Sequence, residues 1–108
     1  MQIEIEPCGI EVESEWPEFI RTTIAFSAWR HEPRVERVRV ALRSAGLAAS
    51  PLMECRLEAI RSDGSFVTTK AFGSDAFEAV QAASEKFEVE LFRSASAAYR
   101  GEPQLYAA

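Results

Sequence analysis

The chain has 108 residues, 47% of them hydrophobic and 27% charged, with a formal net charge of −5. That is the length of one domain with one modest core and the composition of an ordinary soluble globular protein. It argues against indiscriminate nucleic-acid binding, which rests on Lys and Arg neutralising phosphates, and the longest apolar runs are too short to cross a bilayer.

Residues 2–6, QIEIE, alternate strictly. Ile3 and Ile5 point one way and Glu4 and Glu6 the other, the pattern of a half-buried strand. Pro7 and Gly9 end it. Ser14 is a good N-cap for the next element, and Pro17 falls in its first turn, where proline is tolerated. At ~100° per residue, Trp16, Phe19, Ile20, Ile24 and Phe26 lie in one broad stripe, which predicts a helix over 14–30. Trp29 falls outside that stripe, so it either folds down at the helix end or is exposed, and Pro33 prevents continuation.

Residues 35–43, VERVRVALR, alternate from Val38. Val38, Val40 and Leu42 face a core, and Arg37, Arg39 and Arg43 face away. After the small-residue loop SAGLAASP, residues 52–61 predict a third strand. Met53, Cys55, Leu57 and Ala59 point inward, and Glu54, Arg56 and Glu58 outward. Ser62-Asp63-Gly64 is a tight turn. Residues 66–72 form the fourth strand, with Val67, Thr69 and Ala71 toward the helices. Gly73 breaks it, and Ser74 or Asp75 caps a second helix. Phe77, Val80, Ser84, Phe87, Leu91, Ala95 and Ala98 form the stripe of that helix. Gly101 and Pro103 stop it, leaving 1–100 as the domain and 101–108 as a flexible tail.

The order predicts an α+β fold, β-α-β-β-β-α. The opening strand, helix and strand form a crossover unit, so its strands are parallel and its connection right-handed. The remaining strands form an antiparallel meander. Each helix has one apolar stripe and each strand one apolar face, so both helices pack on one face of a four-stranded mixed sheet. The other face stays open.

Catalytic chemistry finds no constellation. His31, the single histidine, sits in the expected helix-to-strand loop with only Glu32 beside it as a partner. Cys8 and Cys55 have no C-x-x-C spacing, so neither a zinc site nor a disulfide framework follows. Cys55 reads as an inert core thiol and Cys8 lies at a strand end. The glycines are isolated, with no phosphate-cradling loop. The expectation is no enzyme, no cofactor and no metal. No basic segment followed by an apolar stretch opens the chain, which predicts no signal peptide, no membrane partner and a cytoplasmic setting.

This order, with these residues, resembles the short ribosome hibernation-promoting factor family, also called ribosome-associated inhibitors or sigma-54 modulation proteins. In the opening MQIEIEPCGIEVESEWPEFI, Val12, Trp16, Phe19 and Ile20 match the family's short turn and amphipathic first helix. In GSDAFEAVQAASEKFEVEL, the family's pattern of an Asp, an aromatic two residues on, A-(I/V)-D and a later D-K-L is met by Asp75, Phe77, Ala79, Val80, Glu85, Lys86, Phe87 and Leu91. These are mostly core and cap positions, so they speak more to fold than to function. The resemblance implies a non-catalytic factor that binds rRNA of the small ribosomal subunit and holds ribosomes inactive under stress, with the basic contact surface along the two helices.

Carried over by position, Lys86 on the second helix stands where the family has a basic residue and Arg93 near another, while on the first helix only Arg21 and Arg30 remain. Val89, Thr23 and Phe26 stand where it is often basic. Lys86, Arg93 and Arg100 are spaced by seven, which predicts one row opposite the core. It is either a phosphate track or a solvated face on which Glu90 pairs with Lys86 or Arg93. A second set, Arg37, Arg39, Arg43, Arg56 and Lys70, lies on the open sheet face. It is either an RNA-backbone contact or a cross-strand ladder in which Glu4 and Glu6 answer Arg37 and Arg39, and Glu54 and Glu58 flank Arg56. Phe66 and Phe72 share that face, as a stacking platform, as a protein contact, or buried under Leu105 or Tyr106. Residues 1–33 hold seven acids and two bases, 34–70 four acids and seven bases, and 71–108 six acids and three bases. Acidic flanks thus enclose a basic middle, and rRNA binding weaker and more salt-sensitive than that of a basic relative follows. The alternative is a divergent domain of the same fold that contacts a protein, or itself as a homodimer, without rRNA. General double-stranded RNA binding is a weaker third, because the second helix begins Asp-Ala-Phe-Glu rather than with a basic cluster.

Overall fold

A computed structural model describes residues 1–31, 35–46 and 50–99, and the side chains of all of these except 29–31 and 94–99. The elements are β1 (Gln2–Cys8), α1 (Trp16–His31), β2 (Val35–Ser44), β3 (Met53–Arg61), β4 (Phe66–Gly73) and α2 (Ala76–Tyr99). They form a four-stranded mixed sheet in the order β1-β2-β3-β4, with β1 parallel to β2 and the other pairs antiparallel. The fold is α+β, in the order expected.

Period-two alternation sets the sheet faces. Val38, Val40, Leu42, Cys55, Leu57, Ala59 and Ala71 are buried beneath the helices. Glu36 is the extra residue of a bulge between Val35 and Arg37, which lets both Val35 and Val38 reach the core. Helix α2 lies over β3 and β4, while α1 packs beside α2 toward β1 and β2. Phe19 meets Phe77 edge-on across the helix pair, with centroids 4.9 Å apart. Phe87, Ile20, Ile24, Leu42 and Leu57 are the largest side chains sealed between the layers.

Local chemistry explains the ends. Asp75 Oδ1 accepts the Glu78 amide at 2.8 Å, and Glu78 Oε1 accepts the Ser74 amide, at 2.6 Å, closing a capping box at the start of α2. A Cβ on Gly73 would collide with the backbone of Glu78 and Ala79, so the turn from β4 into α2 requires glycine. Gly64 closes the β3–β4 hairpin at φ +90°.

Several expectations need correction. Strand β1 runs through Pro7 to Cys8. An edge strand tolerates proline because no ladder bond is required on its outer side. Helix α1 starts at Trp16, and the Glu15 carbonyl, accepting the Phe19 amide, begins it in place of a Ser14 cap. Phe26 is 59% exposed, because the buried stripe turns through Ser27 and Ala28 on the side away from it. Glu54, expected to point into solvent, is 4% exposed. His31 is the last residue of α1 rather than part of a loop. Trp29, Ala95 and Ala98 have side chains outside those described, and the tail 101–108 lies outside the described residues.

Candidate functional site

The open face of the sheet is a lattice of charge. The register aligns Glu4 with Arg39 and Glu58, then Ala41 with Arg56 and Lys70, then Cys8 with Arg43, Glu54 and Phe72. On the β1–β2 side the ladder is realised. Glu4 lies 3.7 Å from Arg37 and 3.8 Å from Arg39, and Arg39 also reaches Glu6 at 3.0 Å and Glu58 at 3.5 Å. The hydrogen bond to Glu6 and the surrounding carboxylates hold the Arg39 pKa above its ordinary value.

Arg43 donates through Nε and Nη2 to Glu54 Oε1, at 3.2 and 2.8 Å. That charge-assisted pair explains how a carboxylate is buried on a nominally open face. The hydrogen bond from Arg43 holds the Glu54 carboxyl below its ordinary range despite the desolvation that opposes it, and the Arg43 pKa is raised in turn.

Glu54 and Glu58 bond to Arg43 and Arg39, so that although both flank Arg56 along β3, neither forms an ion pair with it. Arg56 instead stands directly opposite Lys70. Both are exposed, and among the described residues neither makes an ion pair. The Lys70 ammonium sits 5.9 Å from the Phe72 ring centroid. Phe72 and Phe66 are 45% and 64% exposed, so cations and aromatic faces adjoin on this half of the sheet. Their cover by Leu105 or Tyr106 falls outside the described residues.

The helix rows are arranged differently from the expectation. Lys86 and Arg93 do not lie opposite the core. They line the flank of α2 beside β4, where Lys86 Nζ donates to the Lys70 carbonyl at 3.1 Å and Arg93 pairs with Glu90 at 3.0 Å. The cause is the position of α2 over β3 and the edge strand β4, which turns one flank of the helix toward the sheet edge. Arg21 is exposed on α1. It lies two residues from Phe19, the contact to α2, and therefore on the flank turned away from α2. Of the described members, Arg21 and the Lys86–Arg93 pair face apart. The Arg30 side chain and Arg100 lie outside the description.

Two features were missed by sequence reasoning. One is the pair of exposed Arg43 with buried Glu54, for which simple alternation holds no signal. The other is Thr69, whose Oγ1 is buried with no hydrogen-bond partner among the described residues. Cys55 is buried, and desolvation pushes its thiol up to about 12, far from a reactive thiolate. Among the described residues no group of three His, Cys, Asp or Glu side chains is placed to hold a metal ion, and no helix is long and apolar enough to cross a membrane.

No protein-family model matches the sequence, and a search of curated proteins finds no significant match. Solved structures do match. A ribosomal subunit interface protein from Coxiella burnetii superposes with a TM-score of 0.72 at 13% identity, over 89% of this chain and 99% of that one. The N-terminal domain of Thermus thermophilus Protein Y superposes with a TM-score of 0.65 at 19% identity, over 87% and 99%. The chain shares their fold across nearly its whole described length.

Proposed function

We propose that this protein is a non-catalytic ribosome-associated factor of the hibernation type, contacting small-subunit rRNA in the cytoplasm and thereby modulating translation. The likeness to the Coxiella burnetii ribosomal subunit interface protein over 89% of the chain carries the proposal. The resemblance of the helix caps and core, Asp75 to Leu91 above all, supports it independently. Within that role, the contact moves from the helices to the β4 side. Arg21 and the Lys86–Arg93 row face apart and form no common groove, whereas Arg56 and Lys70, unpaired among the described residues, stand beside Phe72. That combination suits phosphates and an unstacked base together.

The test is sucrose-gradient sedimentation of stationary-phase lysate at low salt, probing the 30S, 70S and 100S fractions. The protein is expected with the small subunit or particles containing it, and displaced as salt rises toward 0.5 M, because the contact rests on cation–phosphate pairs that salt competes away. Absence from every ribosomal fraction at low salt would sink the proposal. The exposure of Phe66, Phe92 and Val89, at 64%, 64% and 55%, favours a second reading, a module that contacts a protein or a second copy of itself. A concentration-dependent mass on the pure chain, with no ribosomal fraction, is its signature.

A further inference from the structure

The outer edge of β4 and the flank of α2 beside it enclose a shallow groove of about 430 Å³. Thr68, Thr69 and Lys70 form one wall, and Lys86, Val89 and Arg93 the other. Strand β4 ends the sheet and contains no proline. The Arg61 amide donates to the Ser65 carbonyl at 2.9 Å across the hairpin. Carried along the antiparallel register, this turns the backbone groups of Val67, Thr69 and Ala71 toward β3, and those of Thr68, Lys70 and Phe72 outward. The Lys86 ammonium on the Lys70 carbonyl, 3.1 Å away, agrees with that direction.

An independent feature lies in the same wall. Thr69 is 8% exposed, and its hydroxyl has no partner among the described residues. Buried hydroxyls are ordinarily satisfied, so an unsatisfied one lining a groove marks a place where a ligand completes the bonding. Val89, 55% exposed, supplies an apolar contact on the facing wall.

The geometry points to a strand-addition site: an extended peptide segment bearing acidic side chains pairs with the outer edge of β4 and lies along α2. The outward groups of Thr68, Lys70 and Phe72 alternate donors with acceptors at the repeat of a peptide backbone. Phosphates present acceptors only, and the outward carbonyls would oppose them. Lys70, Lys86 and Arg93 face the groove against one carboxylate, Glu90, so the incoming strand is acidic. An arriving amide takes the Lys70 carbonyl, and the released Lys86 ammonium pairs with a carboxylate of the peptide. The site does not rest on the ribosome proposal: Lys70 and Phe72 belong to both surfaces, but here their backbone edge is engaged, and Arg56 takes no part.

The test is an amide-resolved NMR titration of the full chain with a capped, alternating valine–glutamate hexapeptide. A valine–lysine hexapeptide and oligouridine serve as the comparison probes. The expected result is shifts at Thr68, Lys70 and Phe72, with slowed exchange of the Lys70 amide. Binding should weaken at least tenfold in Lys86→Glu and vanish in Thr68→Pro, where an outward edge proline spares the bonds to β3. If Thr68→Pro fails to fold, Lys86→Glu decides alone. Three results would overturn the site: no response along β4 at millimolar peptide, an equal response to the lysine peptide, or equal slowing of the Lys70 amide by oligouridine.

Discussion

On the β1–β2 half of the open sheet face, Arg37, Arg39 and Arg43 each lie within 4 Å of a carboxylate. On the β3–β4 half, Arg56 stands opposite Lys70, and among the described residues neither makes an ion pair, the Glu54 carboxylate acting on both only at longer range. The residue types are the same on both halves, and the register separates them. A one-residue difference in which glutamate faces which arginine converts a possible phosphate contact into an internal ladder. Like charges directly opposite are destabilising, so the Arg56–Lys70 pair reduces stability slightly while keeping two cations available. The paired half belongs to the fold, and the proposal assigns the unpaired half to a partner.

The largest expected effect breaks that division at its functional end. Reversing both available cations, Arg56→Glu with Lys70→Glu, should weaken binding to small-subunit rRNA more than tenfold. It should also flatten the dependence of log K on log salt by roughly two, about 0.9 for each phosphate that is no longer neutralised. Fluorescence anisotropy across a salt series measures both, and thermal unfolding checks that the fold survives.

Next comes the Arg43–Glu54 pair. Arg43→Gln strands a buried carboxylate and should lower the urea midpoint clearly at neutral pH. The sign with pH follows from Glu54. Its carboxyl is held below the ordinary range, so the pair's stabilisation is complete above the unfolded value, about 4.3. It is lost as pH falls through the lower folded value. The difference between wild type and Arg43→Gln should therefore shrink toward zero in acid, which urea titrations from neutral pH down to the acid range would follow. A constant difference at every pH would contradict the pairing.

Smaller still is Thr69→Val. The substitution removes a buried hydroxyl that has no partner among the described residues and keeps the shape, so it should stabilise by about 1 kcal/mol, read as a rise in the melting temperature. The least effect is expected of Arg37→Gln, an exposed ladder member. Its stability should change by less than ~0.5 kcal/mol and its RNA affinity by less than about twofold, since an arginine already answered by Glu4 has little charge to offer.

Much of the fold was legible because alternation is a local property. Ile3 to Ile5, Val38 to Leu42 and Cys55 to Ala59 assign their own faces, and Asp75 with Glu78 announces the start of α2. Phe26 was misplaced because a broad stripe has no edge in sequence. The true edge is set by where α2 packs, at the Phe19–Phe77 contact. The candidate site was legible as a set of cations and illegible as an arrangement. Which of them are neutralised depends on the pairing of Arg43 with Glu54 and Arg39 with Glu58, separations that only the sheet register resolves. Lys86 and Arg93 were placed opposite the core on helical period alone, which takes no account of a helix lying over the edge strand. Thr69 carried no signal at all, because an unsatisfied hydroxyl is a property of its surroundings.

The central claim is that the available cations beside β4, and not the paired ones beside β1, make the ribosomal contact. Co-sedimentation with purified small subunits at low salt compares the wild type, Arg56→Glu with Lys70→Glu, and Arg37→Gln with Arg39→Gln. The account predicts that the wild type and the Arg37/Arg39 variant pellet with the subunit while the Arg56/Lys70 variant stays in the supernatant. Equal loss of both variants, or pelleting of the Arg56/Lys70 variant at the wild-type level, would contradict it.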